Sequence, residues 1–516
     1  MSDTVKVESN EETPLLGAKT RKSCGLAQRY VLAIMGFLGF VTAYSLRVNF
    51  NVALVAMVNY TTVDNVTSDD CPVPKNLNST AEPAKAGEFN WTEYTQGVLL
   101  SSFFYGYICT NVPGGWLASR YGGKWIFGIG VLVPALLSML TPVLARISVD
   151  LIIAVRVLEG MAQGVLFPAM WALLGKWCPP LESSKIAGIV TAGCSFGSII
   201  SQPVSGLLCD YGFAGGWPSV FYVFGAVSCV WFIAWCFLVY SCPSSHPLIS
   251  THERLFIESS LGTVKHEKPP PTPWLAMMTS LPVWTIIVAT ICDDFGFYTL
   301  MTCLPTYMKQ VLHFDMTKNG FLSSLPWLVN FFVNLLIIYP ADYIREHGIL
   351  RTRNARKLFN TLGMGGAGSF LVVLGFYKGC DYLVPVVLLV GALAMSGISV
   401  PGYMVNHLDI APRFSGSTMS LANTLSTISG MVGPYLVGYL TNGQPTQAQW
   451  QKVFFITAGM YGLGALTFLL FAKGEEQEWA RNKDKEAETI LTESSEETLE
   501  KKHLRDPLKD DSIVNA

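Results

Sequence analysis

Arg156 and Glu159 stand in LIIAVRVLEGMAQGVLFPAMWALL, residues 151–174, a stretch otherwise apolar enough to cross a bilayer as one helix. Ionisable groups at membrane depth cost from roughly 2.5 kcal/mol upward, and they usually face a bundle interior or a water-filled pathway where substrate or ions are handled. Arg47, in AYSLRVNFNVALV (43–55), has no acid on its own span. At about 1.5 Å per residue, Arg47 lies roughly 5 Å and Arg156 roughly 8 Å from the centres of their spans, on the same side. Two guanidiniums at similar depth can hold a carboxylate or phosphate bidentately; the opposing reading is that each pairs with an acid such as Glu159 and locks helices together. Glu159 is a candidate proton carrier, because burial and the neighbouring Arg156 act on it in opposite senses and leave its occupancy sensitive to access. A second carboxylate position occurs in ATICDDFGFYTL, where Asp293 and Asp294 point about 100° apart on a helix, so that one of them at most faces a central cavity squarely. The other is then neutral or hydrogen-bonded to a neighbouring helix. Tyr105 in SSFFYGY and Tyr298 in FGFYTL offer hydroxyls to such a cavity, or else pack against apolar neighbours.

The elements that must position these side chains are membrane helices. The chain has 516 residues, of which 50% are hydrophobic and 14% charged, with a mean hydropathy of +0.38; an average soluble domain is about 25% charged. Apolar windows of about 20 residues predict twelve spans at roughly 30–58, 95–118, 125–145, 149–174, 186–209, 219–241, 281–307, 320–341, 358–377, 382–405, 415–440 and 452–472. The expectation is an all-α membrane protein of two six-helix halves, 29–241 and 281–472, joined by a charged, proline-containing cytosolic linker at 242–280. Residues 1–28 read as a polar cytosolic tail with no signal peptide, and 473–516 as a disordered cytosolic tail. A net charge of -2 without a basic stripe gives no sign of nucleic-acid binding. A channel would need a filter sequence or a continuous polar stripe, a receptor a sizeable folded extramembrane domain, and an enzyme a cluster of nucleophile, base and oxyanion groups. None of these is visible, and a transporter remains.

With both ends cytosolic, the inside loops hold thirteen basic residues, Arg356 among them, and the outside loops seven, as the positive-inside bias requires. Independently, the acceptor pattern N-x-[ST] at Asn59, Asn65, Asn78 and Asn90 falls wholly in the loop between the first two spans, 59–94, which is therefore expected outside or in a lumen and glycosylated. Asn65 and Asn78 lie farthest from the flanking spans. Twelve cysteines show no C-x-x-C pair and no metal-ligand spacing, so no cofactor or metal is expected. Cys71 and Cys380 share the outside face, where a disulfide is chemically allowed. Asn406, His407 and Asp409 in VNHLDIAP fall at the cytosolic end of the tenth span, as a gate or structural cluster. In EETPLLG, Glu11 with Leu15 and Leu16 has the spacing of an acidic dileucine signal read by cytosolic sorting adaptors. It points to a lysosomal or endosomal membrane, with the plasma membrane as the alternative.

After the second span comes PGGWLASRYGGKW and after the eighth YPADYIREHGILRTRNARKLF. The first keeps Gly115, Arg120, Gly122 and Lys124, with Ser119 where Asp is usual, and the second keeps Asp342 and Arg345; the pair resembles the loop signature of the major facilitator superfamily. Five segments are more specific. AYSLRVNFNVALV (43–55), the run 97–124, RVLEGMAQGVLFPAMW (156–171), KWCPPLESSKIAGI (176–189) and the run 405–434 resemble the anion transporters of solute carrier family 17. The resemblance implies a major facilitator fold, an organic or inorganic anion as substrate, proton or sodium coupling, and substrate recognition at the position matching Arg47. The chain departs from it in two places. Gln163 stands where relatives carry a second carboxylate one turn after Glu159, and Asp293–Asp294 stand where the glutamate-carrying members have an arginine. Sodium-dependent phosphate cotransport stays open as the alternative to an acidic sugar or acidic amino acid.

Overall fold

Residues 27–59, 87–179, 182–262, 272–312, 314–379 and 381–481 are described by a computed structural model of the chain. Helices α1 (Gln28–Met57), α2 (Glu93–Tyr121), α3 (Gly123–Ala145), α4 (Val149–Gly164), α5 (Leu166–Trp177), α6 (Ser183–Tyr211) and α7 (Trp217–Leu238) build the first half. The short α8 (Thr251–Gly262) and α9 (Trp274–Thr279) follow, and α10 (Leu281–Gln310), α11 (Met316–Glu346), α12 (Thr352–Phe376), α13 (Leu383–Ile410), α14 (Ser415–Thr441) and α15 (Gln447–Phe471) build the second. The face carrying the loop after α1 is called here the first-loop face, and the opposite one, carrying α8, the linker face.

Among the described residues, ten helical segments are long and apolar enough to cross a membrane, with α4 and α5 together counting as one. The two remaining predicted spans are α2 and α14, helices of 29 and 27 residues, about 40 Å each, which fall short in hydropathy. Their polarity has a structural outlet. Along α14, Thr424, Ser426 and Thr427 turn their hydroxyls back onto carbonyls one turn earlier, satisfying themselves within the helix.

Two expectations are corrected, for the span at 149–174 and for the C-terminal tail, and the linker is given its structure. The span at 149–174 is not one helix, since α4 ends at Gly164 and α5 begins at Leu166; Pro168 has no N–H for the Gly164 carbonyl, and its ring crowds that carbonyl. The 242–280 linker is partly helical, and α8 is docked. Glu253 accepts the backbone N–H groups of Gln28 and Arg29 at 3.0 and 3.1 Å, capping α1, while Arg29 also pairs with Glu182 at 2.8 Å. The C-terminal tail does not leave the protein at 473: Gln477 N donates to the Ile410 carbonyl, the Trp479 ring lies 6.1 Å from Phe414, and Ala480 is fully buried. Residues 482–516 lie outside the described residues.

Within the first half α1 packs on α6 and α2 on α4; within the second, α12 packs on α13 and α15. The halves meet along α2–α14 and α6–α11, so that the second span of each half lies on the fifth of the other. That is the approximate two-fold arrangement of parallel six-helix repeats. Glycines set both crossings. A β-carbon on Gly97 would come within 2.7 Å of the Pro434 carbonyl oxygen, and one on Gly206 within 2.6 Å of the Met316 carbonyl oxygen, where Gly438 and Gly320 face them. Every hydrogen bond and ring contact described between α2 and α14 lies in the first-loop half of the two helices, including Tyr94–Tyr435 and the bond from the Ser101 hydroxyl to the Met431 carbonyl. At this crossing the two halves are held together on the first-loop side.

Candidate functional site

Arg47 lies inside α1, 4% exposed. Its guanidinium carbon sits over five rings: Phe103 at 4.7 Å, Phe104 at 4.8 Å, Tyr298 at 5.2 Å, Tyr107 at 5.3 Å and Tyr44 at 5.5 Å. Cation–π attraction strengthens on desolvation, reaching about 2 kcal/mol, so the rings stabilise a charge that no ion pair engages among the described residues. Nη2 has no hydrogen-bond partner. The cage takes α1 and α2 from one half and α10 from the other, with the Phe104 and Tyr298 rings 4.9 Å apart across the junction. Asn51 crosses the same junction nearer the first-loop face, donating to the Met301 carbonyl at 3.1 Å.

Arg156 is brought beside Arg47, because its guanidinium carbon lies 5.1 Å from the same Phe103 ring and 4.5 Å from Phe50. It is nevertheless occupied. Nη1 donates to Glu159 Oε2 at 2.8 Å, both side chains being almost wholly buried, while Nε is left without a partner. Of the two guanidiniums, Arg47 is the one free to meet an anion. Gln163, one turn on, donates to the Ala43 carbonyl at 3.1 Å and ties α4 to α1, a packing role that a carboxylate could not fill without a proton.

The two aspartates part company, as their 100° offset requires. Asp293 is buried and turned into the second half, where Ser396, Ser399 and Tyr403 of α13 donate to it at 3.1, 3.3 and 3.0 Å. Asp294 is half-buried, with Ser426 of α14 beside it and its charge felt by Arg47 and Tyr298. Tyr105 does not join the site. It is 38% exposed, one position round the helix from Phe104, and is grouped with Tyr94 and Tyr435. The missed residues are its neighbours Phe103, Phe104 and Tyr107, together with Tyr44; the available signal was that 103 and 107, one turn apart, share a face. Ser396, Ser399 and Tyr403, spaced three and four, carried a similar signal.

Asn406, His407 and Asp409 lie apart from this centre, toward the linker face. Asp409 pairs with Arg356 at 2.7 Å, and Arg356 also donates to the Pro401 carbonyl at 2.8 Å. Arg356, counted above as a loop residue, is therefore a buried part of α12. The His407 ring meets the Thr418 hydroxyl at 3.1 Å, and Asn406 is fully buried with neither amide atom partnered. Asn59 and Asn90 flank a short pairing in which Asn59 N donates to the Phe89 carbonyl and Phe89 N to the Met57 carbonyl. Asn65, Asn78, Cys71, Cys380, Glu11, Leu15 and Leu16 lie outside the described residues, as do the side chains of Ser119 and Asp342.

Two helical repeats facing each other across a buried cationic centre define a membrane carrier. The pattern of the Major Facilitator Superfamily matches residues 36–434. Human sialin is 43% identical over 481 residues, covering 92% of this chain and 96% of that one. A putative inorganic phosphate cotransporter of Drosophila melanogaster is 40% identical, covering 90% of this chain and 88% of that one. Among solved structures, a bacterial homolog of the human lysosomal transporter Spinster, inward-facing and unoccupied, superposes with a TM-score of 0.66 over 87% of this chain and 99% of that one at 14% identity. The chain belongs to the major facilitator superfamily and, within it, to the solute carrier family 17 transporters. It is a multi-pass membrane protein, and its relatives are transporters, not enzymes.

Proposed function

We propose that the protein is a secondary active transporter that moves a small organic anion, an acidic sugar or acidic amino acid, by alternating access in symport with protons or sodium. The observation that carries this reading is Arg47, a cation with no ion pair among the described residues, held by aromatic rings from both halves. A carboxylate entering the cage finds Nη2 unengaged and rings suited to the apolar face of a sugar or side chain. Glu159 and Asp294 are the coupling carboxylates of this reading, one from each half, and Asp293 is held in reserve by its three hydroxyl donors. Sodium-driven phosphate uptake is the second reading, favoured by Gln163 in place of a carboxylate and by the similarity to the Drosophila protein named above. Both termini face the cytosol, with Glu11, Leu15 and Leu16 directing the protein through cytosolic adaptors to lysosomal or endosomal membranes.

The deciding experiment is uptake into proteoliposomes under separately imposed proton and sodium gradients, with N-acetylneuraminate, glutamate, aspartate and inorganic phosphate as labelled substrates. Concentrative uptake of one of the organic anions is expected. Accumulation of phosphate alone, driven by sodium, would replace the first reading with the second.

A further inference from the structure

Where α2 meets α14 on the first-loop side, one carboxylate is buried with no paired cation among the described residues. Glu93, in the first turn of α2, is 9% exposed. Its Oε2 accepts the backbone N–H of Gly443 at 3.1 Å, and no lysine or arginine pairs with it among the described residues. The matching corner of the other crossing shows the contrast. Asp210 of α6, four residues beyond Gly206, receives both the N–H and the hydroxyl of Thr317, at 2.8 and 2.5 Å. Glu93, four residues before Gly97, has a single donor and a hole beside it.

That hole is a cavity of about 10 Å³ between α2, α10 and α14, enough for one water-sized body. Its wall includes Glu93, Thr306, Gln310 and Thr441. The Thr306 hydroxyl is buried without a partner, and the Thr441 hydroxyl donates to the Val437 carbonyl at 2.8 Å and keeps its lone pairs. Gln310 holds its Oε1 on Trp450 and leaves Nε2 as an unpartnered donor, which suits a shell water or the carboxylate and not a cation. Besides Glu93, the ionisable group on the wall is the Cys303 thiol. A buried carboxylate with one neutral donor and no paired cation is unfavourable, and hard oxygens around a one-water hole suit a small, hard, dehydrated cation.

We propose that the Glu93 cavity is a sodium site formed when the two halves close on the first-loop face. Parting α2 from α14 wets Glu93, which then needs no ion; bringing Gly97 against Gly438 removes its water, which the bound ion offsets. Ion and closure therefore favour each other, as linkage requires. In a carrier this makes the sealing step depend on a cation taken from the first-loop side. The inference rests on the alternating-access reading but on neither the anion's identity nor Arg47.

The test uses the full chain in lipid nanodiscs, with thermal unfolding and radiolabelled sodium binding read in sodium, potassium or choline chloride at constant ionic strength, at acidic and at neutral pH. In the wild type, sodium should raise Tm saturably over choline and potassium. Glu93→Gln should lose both the shift and the bound sodium, while its Tm in choline equals or exceeds the wild type's, because an uncompensated charge has gone; a merely structural carboxylate would show the reverse. Thr306→Val should weaken sodium binding without abolishing folding. The proposal is overturned by no sodium response in the wild type, by an equal response in Glu93→Gln, or by a shift that follows pH and ignores sodium, which would make Glu93 a proton site. Sodium stabilisation without anion uptake leaves the site standing and removes the transport reading; anion uptake without sodium stabilisation does the opposite.

Discussion

A buried guanidinium with no ion pair among the described residues is costly unless its charge is used, and this distinguishes Arg47 from Arg156, whose charge Glu159 already balances. Arg47→Lys keeps the cation and its attraction to the rings but loses the planar fork. Anion uptake should fall roughly 10- to 100-fold, about 1.4–3 kcal/mol of differential binding, with abundance and thermal stability near wild type. Normal uptake by that variant would take Arg47 out of the site. The aspartates give a paired comparison. Asp293→Asn leaves a hydroxyl on α13 facing an amide, and should cost about 1–3 kcal/mol of stability. Asp294→Asn should spare stability and instead uncouple uptake from the driving gradient, as should Glu159→Gln; if Asp293→Asn uncouples while Asp294→Asn does not, the assignment of the two is reversed. The charges were legible in the sequence because they stand in otherwise apolar runs. The cage was not, since a one-residue step on a helix turns a side chain by about 100°, and Tyr105 was chosen where Phe104 and Tyr107 do the contacting.

At the scale of helices, the crossings are fixed by backbone approach more than by side chains. Gly206→Val places a branched side chain where even a β-carbon meets the Met316 carbonyl oxygen at 2.6 Å, so α6 and α11 should fail to close. The variant is expected to insert and fold, since each half keeps its own packing, yet to lose transport. It should also expose Cys209, buried one turn away, to a membrane-impermeant thiol reagent, as mapped by mass spectrometry. Wild-type uptake and an unlabelled Cys209 would show that the crossing tolerates a side chain and is no seal. Hydropathy made the long helices legible. It could not foresee order in α8 or in residues 473–481, which comes from contacts distant in sequence: Glu253 on the start of α1, and Trp479 on Phe414.

For the whole molecule, the two-half architecture was readable from the run of spans and the gap after 241, whereas the state of the carrier was not, because a sequence holds the contacts of both its closed ends at once. Orientation is the property on which the physiological direction of transport depends. The pairing of Asn59 and Phe89 draws both ends of the first loop together at the helix ends, so Asn59 and Asn90 sit close to the helix ends, whereas Asn65 and Asn78 are well separated from both spans in sequence. Asn65→Gln combined with Asn78→Gln should therefore remove nearly all of the mass shift produced by glycosidase, with Asn59→Gln and Asn90→Gln adding little. A protease applied to sealed, right-side-out cells that express the protein at the surface should reach the 60–86 loop and leave α8 intact. Cleavage near α8 with the first loop spared would invert the molecule, and the Glu93 cavity would then take its cation from the cytosol instead of from the outside or a lumen.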